Sequence, residues 1–134
     1  MATSPTQRTL KALRTEGRIA GIVERFIAQA GKFGKRKDLF GFIDIVAIDP
    51  ADGIVGVQSC GQAFSEHVHK LVDGEELVGE SYEALQAWLR HAKLELWGWR
   101  KVKLKRGGKA MRWSPRIADF FLEEDGTIGY TERK

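Results

Sequence analysis

Residues 40–48 and 54–58 form two short runs that are apolar on both faces, separated by the turn-forming cluster Asp49-Pro50-Ala51-Asp52-Gly53. A strand that is apolar on both faces has to be covered on both. The pair therefore predicts a hairpin at the centre of a sheet with helices on either side, rather than a half-solvated antiparallel sheet. The flanking sequence supplies the helices. Ser4, Pro5 and Gln7 give a cap, a proline at the first helical position and a capping-box partner, and Gly17 gives a stop, which predicts a helix over 5–16. Phe64, Val68 and Leu71 share one face of a predicted helix over 61–72, and Leu85, Trp88 and Leu89 do so in another that begins near Ser81.

The remaining segments read as strands and turns. Residues 19–27 are β-branched and apolar enough for a strand, interrupted at Glu24, and residues 31–37 read as a basic loop. Residues 93–105 alternate, which places Leu94, Leu96, Val102 and Leu104 inward and Trp97, Trp99, Lys101 and Lys103 on the opposite face. A turn over 106–109 and an edge strand over 110–114 follow, and the residues after Glu123 are expected to fray. The order is α-β-β-β-α-α-β-β, a mixed β-sheet flanked by helices. At 134 residues with 43% hydrophobic content, a single domain over 1–122 with a flexible tail over 123–134 is expected.

Several classes of protein are disfavoured. No apolar run approaches the roughly 20 residues of a membrane-spanning helix, and the polar N-terminus lacks the pattern of a secretory signal, so a cytoplasmic location is expected. Cys60 is the lone cysteine, which excludes an internal disulfide and a cysteine-based zinc site. The net charge is +4, and its distribution matters more than its size. Cations gather at Lys32, Lys35, Arg36 and Lys37 and again at Arg100, Lys101, Lys103, Lys105, Arg106, Lys109, Arg112 and Arg116. Acids lie mainly between Glu66 and Glu83 and after Leu122. Such segregation is the footprint of a nucleic-acid-binding surface, although lysines that keep strands soluble give a similar pattern.

Asp44 stands inside an otherwise apolar strand, where an unpartnered carboxylate is costly to bury. Either an arginine or backbone donor pairs with it, or it lies at a cleft mouth and binds a divalent cation. The hairpin partner brings Gln58 near the same level, and Glu24 on the preceding strand offers a third oxygen. Oxygen ligands converging on the ends of adjacent strands suit Mg²⁺ or Mn²⁺, which polarises a phosphodiester and activates water for in-line attack. Cys60 with His67 or His69 lacks a third group to orient a thiol nucleophile, and two histidines two apart on a helix do not share a face. His91 suits a helix C-terminus, Asp38 offers a second metal ligand but its basic loop favours a local ion pair or turn role, and Asp49 and Asp52 read as turn formers. Trp97 and Trp99 admit two readings, a stacking platform beside Lys101 and Lys103 or core residues under a helix.

On Asp44-Ile45-Val46-Ala47-Ile48 and Val57-Gln58-Ser59-Cys60, with Glu24 upstream, the chain resembles the PD-(D/E)XK nuclease superfamily, particularly archaeal-type Holliday-junction resolvases and Mrr-like endonucleases. In that pattern an aspartate on one strand is followed, across a hairpin, by acidic-x-lysine before a helix. The resemblance covers roughly residues 5–104, and Trp97-Gly98-Trp99-Arg100-Lys101 is similar to an element of small phage and bacterial members. It implies a restriction-endonuclease-like fold and hydrolysis of DNA, branched DNA included, with Mg²⁺ or Mn²⁺ held by Asp44, Gln58 and Glu24. It also implies a possible homodimer and an origin among phage or mobile-element proteins. Gln58 departs from the acidic ligand and Cys60 from the lysine, and Lys70 or the loop cations Lys35 to Lys37 are the candidate substitutes. DNA contacts are expected from Lys35, Arg36 and Lys37 and from Arg100, Lys101, Lys103, Lys105 and Arg106. Metal-dependent cleavage that is lost in Asp44→Ala is one expectation. A DNA-binding module that keeps the fold without cutting is the alternative.

Overall fold

Ser4 accepts a hydrogen bond from the Gln7 N–H at 3.2 Å and opens helix α1, Pro5–Thr15, with proline in its first turn. Gly17 takes a left-handed conformation (φ 90°) that a side chain would resist, and the Arg18 N–H closes the helix on the Leu13 carbonyl. The computed structural model describes residues 3–29, 31, 34–73 and 80–134, together with the backbone but not the side chains of Lys35, Arg36 and Glu80. Lys32 lies outside the described residues.

The sheet elements are β1 (Ile19–Ile22), β2 (Arg25–Ile27), β3 (Lys35–Lys37), β4 (Ile45–Asp49), β5 (Gly53–Cys60), β6 (Lys93–Lys103), β7 (Met111–Leu122) and β8 (Ile128–Glu132). Helices α2 (Phe64–Asp73) and α3 (Glu80–His91) connect β5 to β6. Six strands form one mixed sheet in the order β1-β4-β5-β6-β7-β8, and β2 and β3 form a separate ribbon. Every neighbouring pair in the large sheet is antiparallel except β5 and β6, which the crossover through α2 and α3 makes parallel. The chain is thus an α/β protein with a mixed six-stranded sheet and three helices.

The two faces carry separate cores, as strands apolar on both sides require. Leu10 and Leu13 of α1 pack with Ile45, Ala47, Val55, Val57, Trp97 and Trp99. Phe64, Val68 and Leu71 of α2 and Leu85 of α3 pack with Ile43, Leu94, Leu96, Ala118 and Phe120 on the other face. Full burial of each such side chain contributes about 1.5–3 kcal/mol. Among the described residues, no helix is long and apolar enough to cross a membrane.

Several expectations need correction. The strand expected over 19–27 breaks at Val23 and Glu24 into β1 and β2, and part of the expected basic loop pairs with β2 as β3. The strand expected from Phe40 begins only at Ile45, because Phe40 adopts a left-handed φ of 58° in a tight turn. Leu104 is exposed, since the antiparallel hairpin of β6 and β7 runs on beyond the helices that would cover it. The strand expected at 110–114 is much longer and lies inside the sheet. The segment expected to fray is β8, paired along β7 after a turn in which Asp125 accepts from the Thr127 N–H and hydroxyl. Three additional strands therefore separate the observed order from α-β-β-β-α-α-β-β.

A buried ion network braces the sheet away from these turns. Arg18 donates to both oxygens of Glu95 at 2.9 and 3.0 Å and to Asp49 at 2.7 Å. Glu95 also accepts from the Trp97 indole and from Arg133. Burial pushes the Glu95 carboxyl up, but the hydrogen bonds from Arg18 and Trp97 outweigh it and hold the group below the usual glutamate range. Asp49 is in addition the turn residue expected of it, accepting from the Ala51 and Asp52 N–H groups at 2.8 and 2.9 Å.

Candidate metal centre and nucleic-acid interface

Asp44 enters at the start of β4, and its carbonyl accepts from the Val23 and Glu24 N–H groups, which fixes Glu24 beside it. The turn at 38–43 brings Asp38 back to the same point: Gly41 donates to the Asp38 carbonyl, and Leu39 and Ile43 exchange hydrogen bonds. As a result, carboxylate oxygens of Glu24, Asp38 and Asp44 lie within 4.8 Å of one another. Asp44 is 4% exposed and Gln58 2%. Continuing the β4–β5 register sets Gln58 across from Asp44.

The electrostatics are those of a crowded acidic site. Burial, followed by a hydrogen bond with the Asp38 carboxyl, pushes the Asp44 carboxyl up to about 9, and Glu24 adds to the repulsion. The Ser59 N–H, donating to Asp44 Oδ2 at 2.7 Å, works against that rise. Gln58 Oε1 is buried and receives no hydrogen bond among the described residues. A buried carbonyl oxygen without a donor is unfavourable by about 1–3 kcal/mol, and a hard cation would satisfy it as well as the carboxylates. The clustered residues therefore fit a hard divalent ion of the Mg²⁺ or Mn²⁺ class: three carboxylates, with no sulfur or imidazole among them, and a buried amide oxygen on the residue across from Asp44.

Of the residues singled out in the sequence, Asp44 and Glu24 come together, and Gln58 lies across from Asp44. Asp38, for which the sequence favoured a turn or ion-pair role over that of a second metal ligand, joins them. Its signal was an acid inside a cationic stretch, six residues before Asp44. Lys70 is half-buried on α2, and no hydrogen bond or ion pair among the described residues ties it to the cluster. Cys60 is buried, and its thiol is pushed up to about 11 by burial and then by the charge of Asp44, so it supplies neither a cation nor a thiolate. His67 Nδ1 donates to the carbonyl of Ala63, the residue just before its own helix, and His69 pairs with Asp73.

Arg100, Lys101, Lys103, Lys105 and Arg106 are exposed along the β6–β7 hairpin, and none forms an ion pair among the described residues. Residues 96–118 contain eight lysines and arginines and no acid. Lys37 is exposed on β3, whereas the side chains of Lys35 and Arg36 lie outside the described residues. Cys60 pairs with Gly98, so β6 continues beyond the end of β5 at the same end of the sheet as Gln58 and Asp44. The stacking platform at Trp97 and Trp99 does not form. Both indoles are core residues under α1, with Trp97 donating to Glu95 and Trp99 to Thr9 Oγ1. No protein-family model, curated protein or solved structure matches this chain.

Proposed function

We propose that the chain is a divalent-metal-dependent nuclease of the PD-(D/E)XK type that hydrolyses phosphodiester bonds in DNA. The observation that carries this reading is the convergence of Glu24, Asp38 and Asp44 at the end of β4, with the undonated Gln58 oxygen across from Asp44. Asp38 contributes the negative charge that an amide at position 58 does not. When bound, Mg²⁺ or Mn²⁺ supplies Lewis-acid polarisation of the phosphodiester and a water acidic enough to attack at neutral pH. The chain's own residues bind and orient: the three carboxylates and Gln58 would hold the ion, and the Ser59 N–H fixes the Asp44 rotamer. The unpaired cations of the β6–β7 hairpin hold the phosphate backbone beside them.

A second reading, a DNA-binding module of the same fold that does not cut, is favoured by Cys60, which leaves the cluster without the usual ammonium. One assay separates the two. Short branched, single-stranded and duplex DNAs are incubated with Mn²⁺ or with chelator, using the wild-type protein and Asp44→Asn. Cleavage that needs the metal and disappears in the variant supports the nuclease. Binding that weakens steeply with salt but leaves every substrate intact supports the module.

A further inference from the structure

Trp113 differs from the other tryptophans. Trp97 and Trp99 are core and Trp88 donates to the Lys93 carbonyl, but Trp113 is 41% exposed and its indole N–H has no acceptor among the described residues. It lies opposite Lys101 on the β6–β7 hairpin, with the Lys101 ammonium 5.3 Å and the Arg8 guanidinium 3.9 Å from its ring centroid. Arg8 belongs to α1 and lines a cavity of about 490 Å³ together with Gln7 and Lys11. Gln7 also lines a second cavity of about 320 Å³, whose other walls include Glu24 and Phe26. Phe26 is 60% exposed, and Glu24 is one of the clustered carboxylates.

The two cavities share Gln7, and so outline a track that would lead from Glu24 and Phe26 over the first turns of α1 to Arg8, whose guanidinium lies on Trp113. Exposed aromatic rings at its two ends, with cations at Arg8, Lys11 and Lys101, form the combination that holds unpaired nucleotides: rings stack on bases while cations follow the phosphates. A paired duplex keeps its bases stacked on one another and offers such rings nothing to stack against. We propose that this track binds an unpaired DNA strand, so that the substrate of the site is DNA with a single-stranded segment next to the cleaved bond. The inference rests on the nuclease reading for the role of the cluster, but not for the binding itself.

The test measures binding in chelator, where no cutting occurs. Fluorescence anisotropy of labelled oligothymidine and of a blunt duplex of equal length is followed for wild type, Trp113→Ala, Trp113→Phe and Phe26→Ala. Wild type is expected to favour the single strand. Trp113→Ala is expected to lose about tenfold for the single strand and less than about twofold for the duplex, with Trp113→Phe restoring most of the loss. Phe26→Ala should show the same selective loss. Wild type binding the duplex as tightly as the single strand, or Trp113→Ala weakening both equally, would overturn the proposal. Failure of the nuclease reading looks different, as wild type that binds the single strand selectively yet leaves it intact with Mn²⁺.

Discussion

Replacing Asp44 by asparagine keeps the side-chain shape and an oxygen for the Ser59 N–H but removes the charge. In the unfolded chain the carboxyl titrates near 3.8, whereas in the fold burial and the Asp38 contact push it up to about 9. Between those values the folded protein holds a proton that the unfolded chain has released. Its contribution to stability is therefore full below 3.8 and is lost as the pH rises toward 9. At neutral pH the span already crossed is roughly three pH units, which at about 1.4 kcal/mol each sets an upper figure of about 4 kcal/mol. Because the Asp44 carboxyl is hydrogen-bonded to Asp38 and repelled by Glu24, Asp44→Asn is expected to stabilise the cation-free protein by about 2–4 kcal/mol at neutral pH. The gain should shrink to nothing near about pH 4. Urea unfolding in chelator, repeated across that range, reads both numbers. Added Mn²⁺ should then reverse the order, stabilising the wild type by about 2.7 kcal/mol at a hundredfold excess over its dissociation constant and leaving the variant unmoved. A variant less stable than wild type at neutral pH in chelator, or equal stabilisation of both by Mn²⁺, would refute the account of the site.

Two further perturbations probe the frame. Arg18→Met leaves the buried Glu95 with Arg133 and the Trp97 indole as its donors, and is expected to cost about 3–5 kcal/mol in urea unfolding. A loss under about 1 kcal/mol would show that the network is dispensable. Gly98→Ala would place a methyl group 2.7 Å from Phe64 Cδ2, and Phe64 in turn carries the Arg116 guanidinium 4.2 Å from its ring centroid. Overpacking there should cost about 1–3 kcal/mol, read as a lower melting temperature, and an unchanged melting temperature would contradict the packing described.

The central hairpin was legible because two physical signals agree: strands apolar on both faces, and a turn whose Asp49 side chain satisfies its own backbone. Asp44 was legible for the opposite reason, as a charge that local pattern cannot justify. Asp38 was legible only as the lesser of two readings, since its place depends on Phe40 taking a left-handed conformation that phenylalanine ordinarily avoids. The alternation of β6 correctly set Trp97 and Trp99 on one face. It could not say that α1 covers that face, because which helix packs where is a tertiary fact. β3 consists of Lys35-Arg36-Lys37, held to β2 by backbone pairing that leaves no hydrophobic trace. The β8 hairpin did leave one, Asp125-Gly126 before Ile128-Gly129-Tyr130, a turn signal outweighed by the charge around it.

The lone parallel pairing has a consequence for how the protein comes to work. On one side of it, the segments flanking β1 and β4 carry the clustered acids; on the other, β6 and β7 form the cationic hairpin. Each half is built from antiparallel neighbours, but joining them waits on a long crossover, the kind of closure that chains make slowly. The acidic cluster and the cationic hairpin are thus delivered by separate halves, which meet at a seam bolted by Arg18 and Glu95. A lesion in that bolt would loosen one half from the other without touching either the acids or the cations.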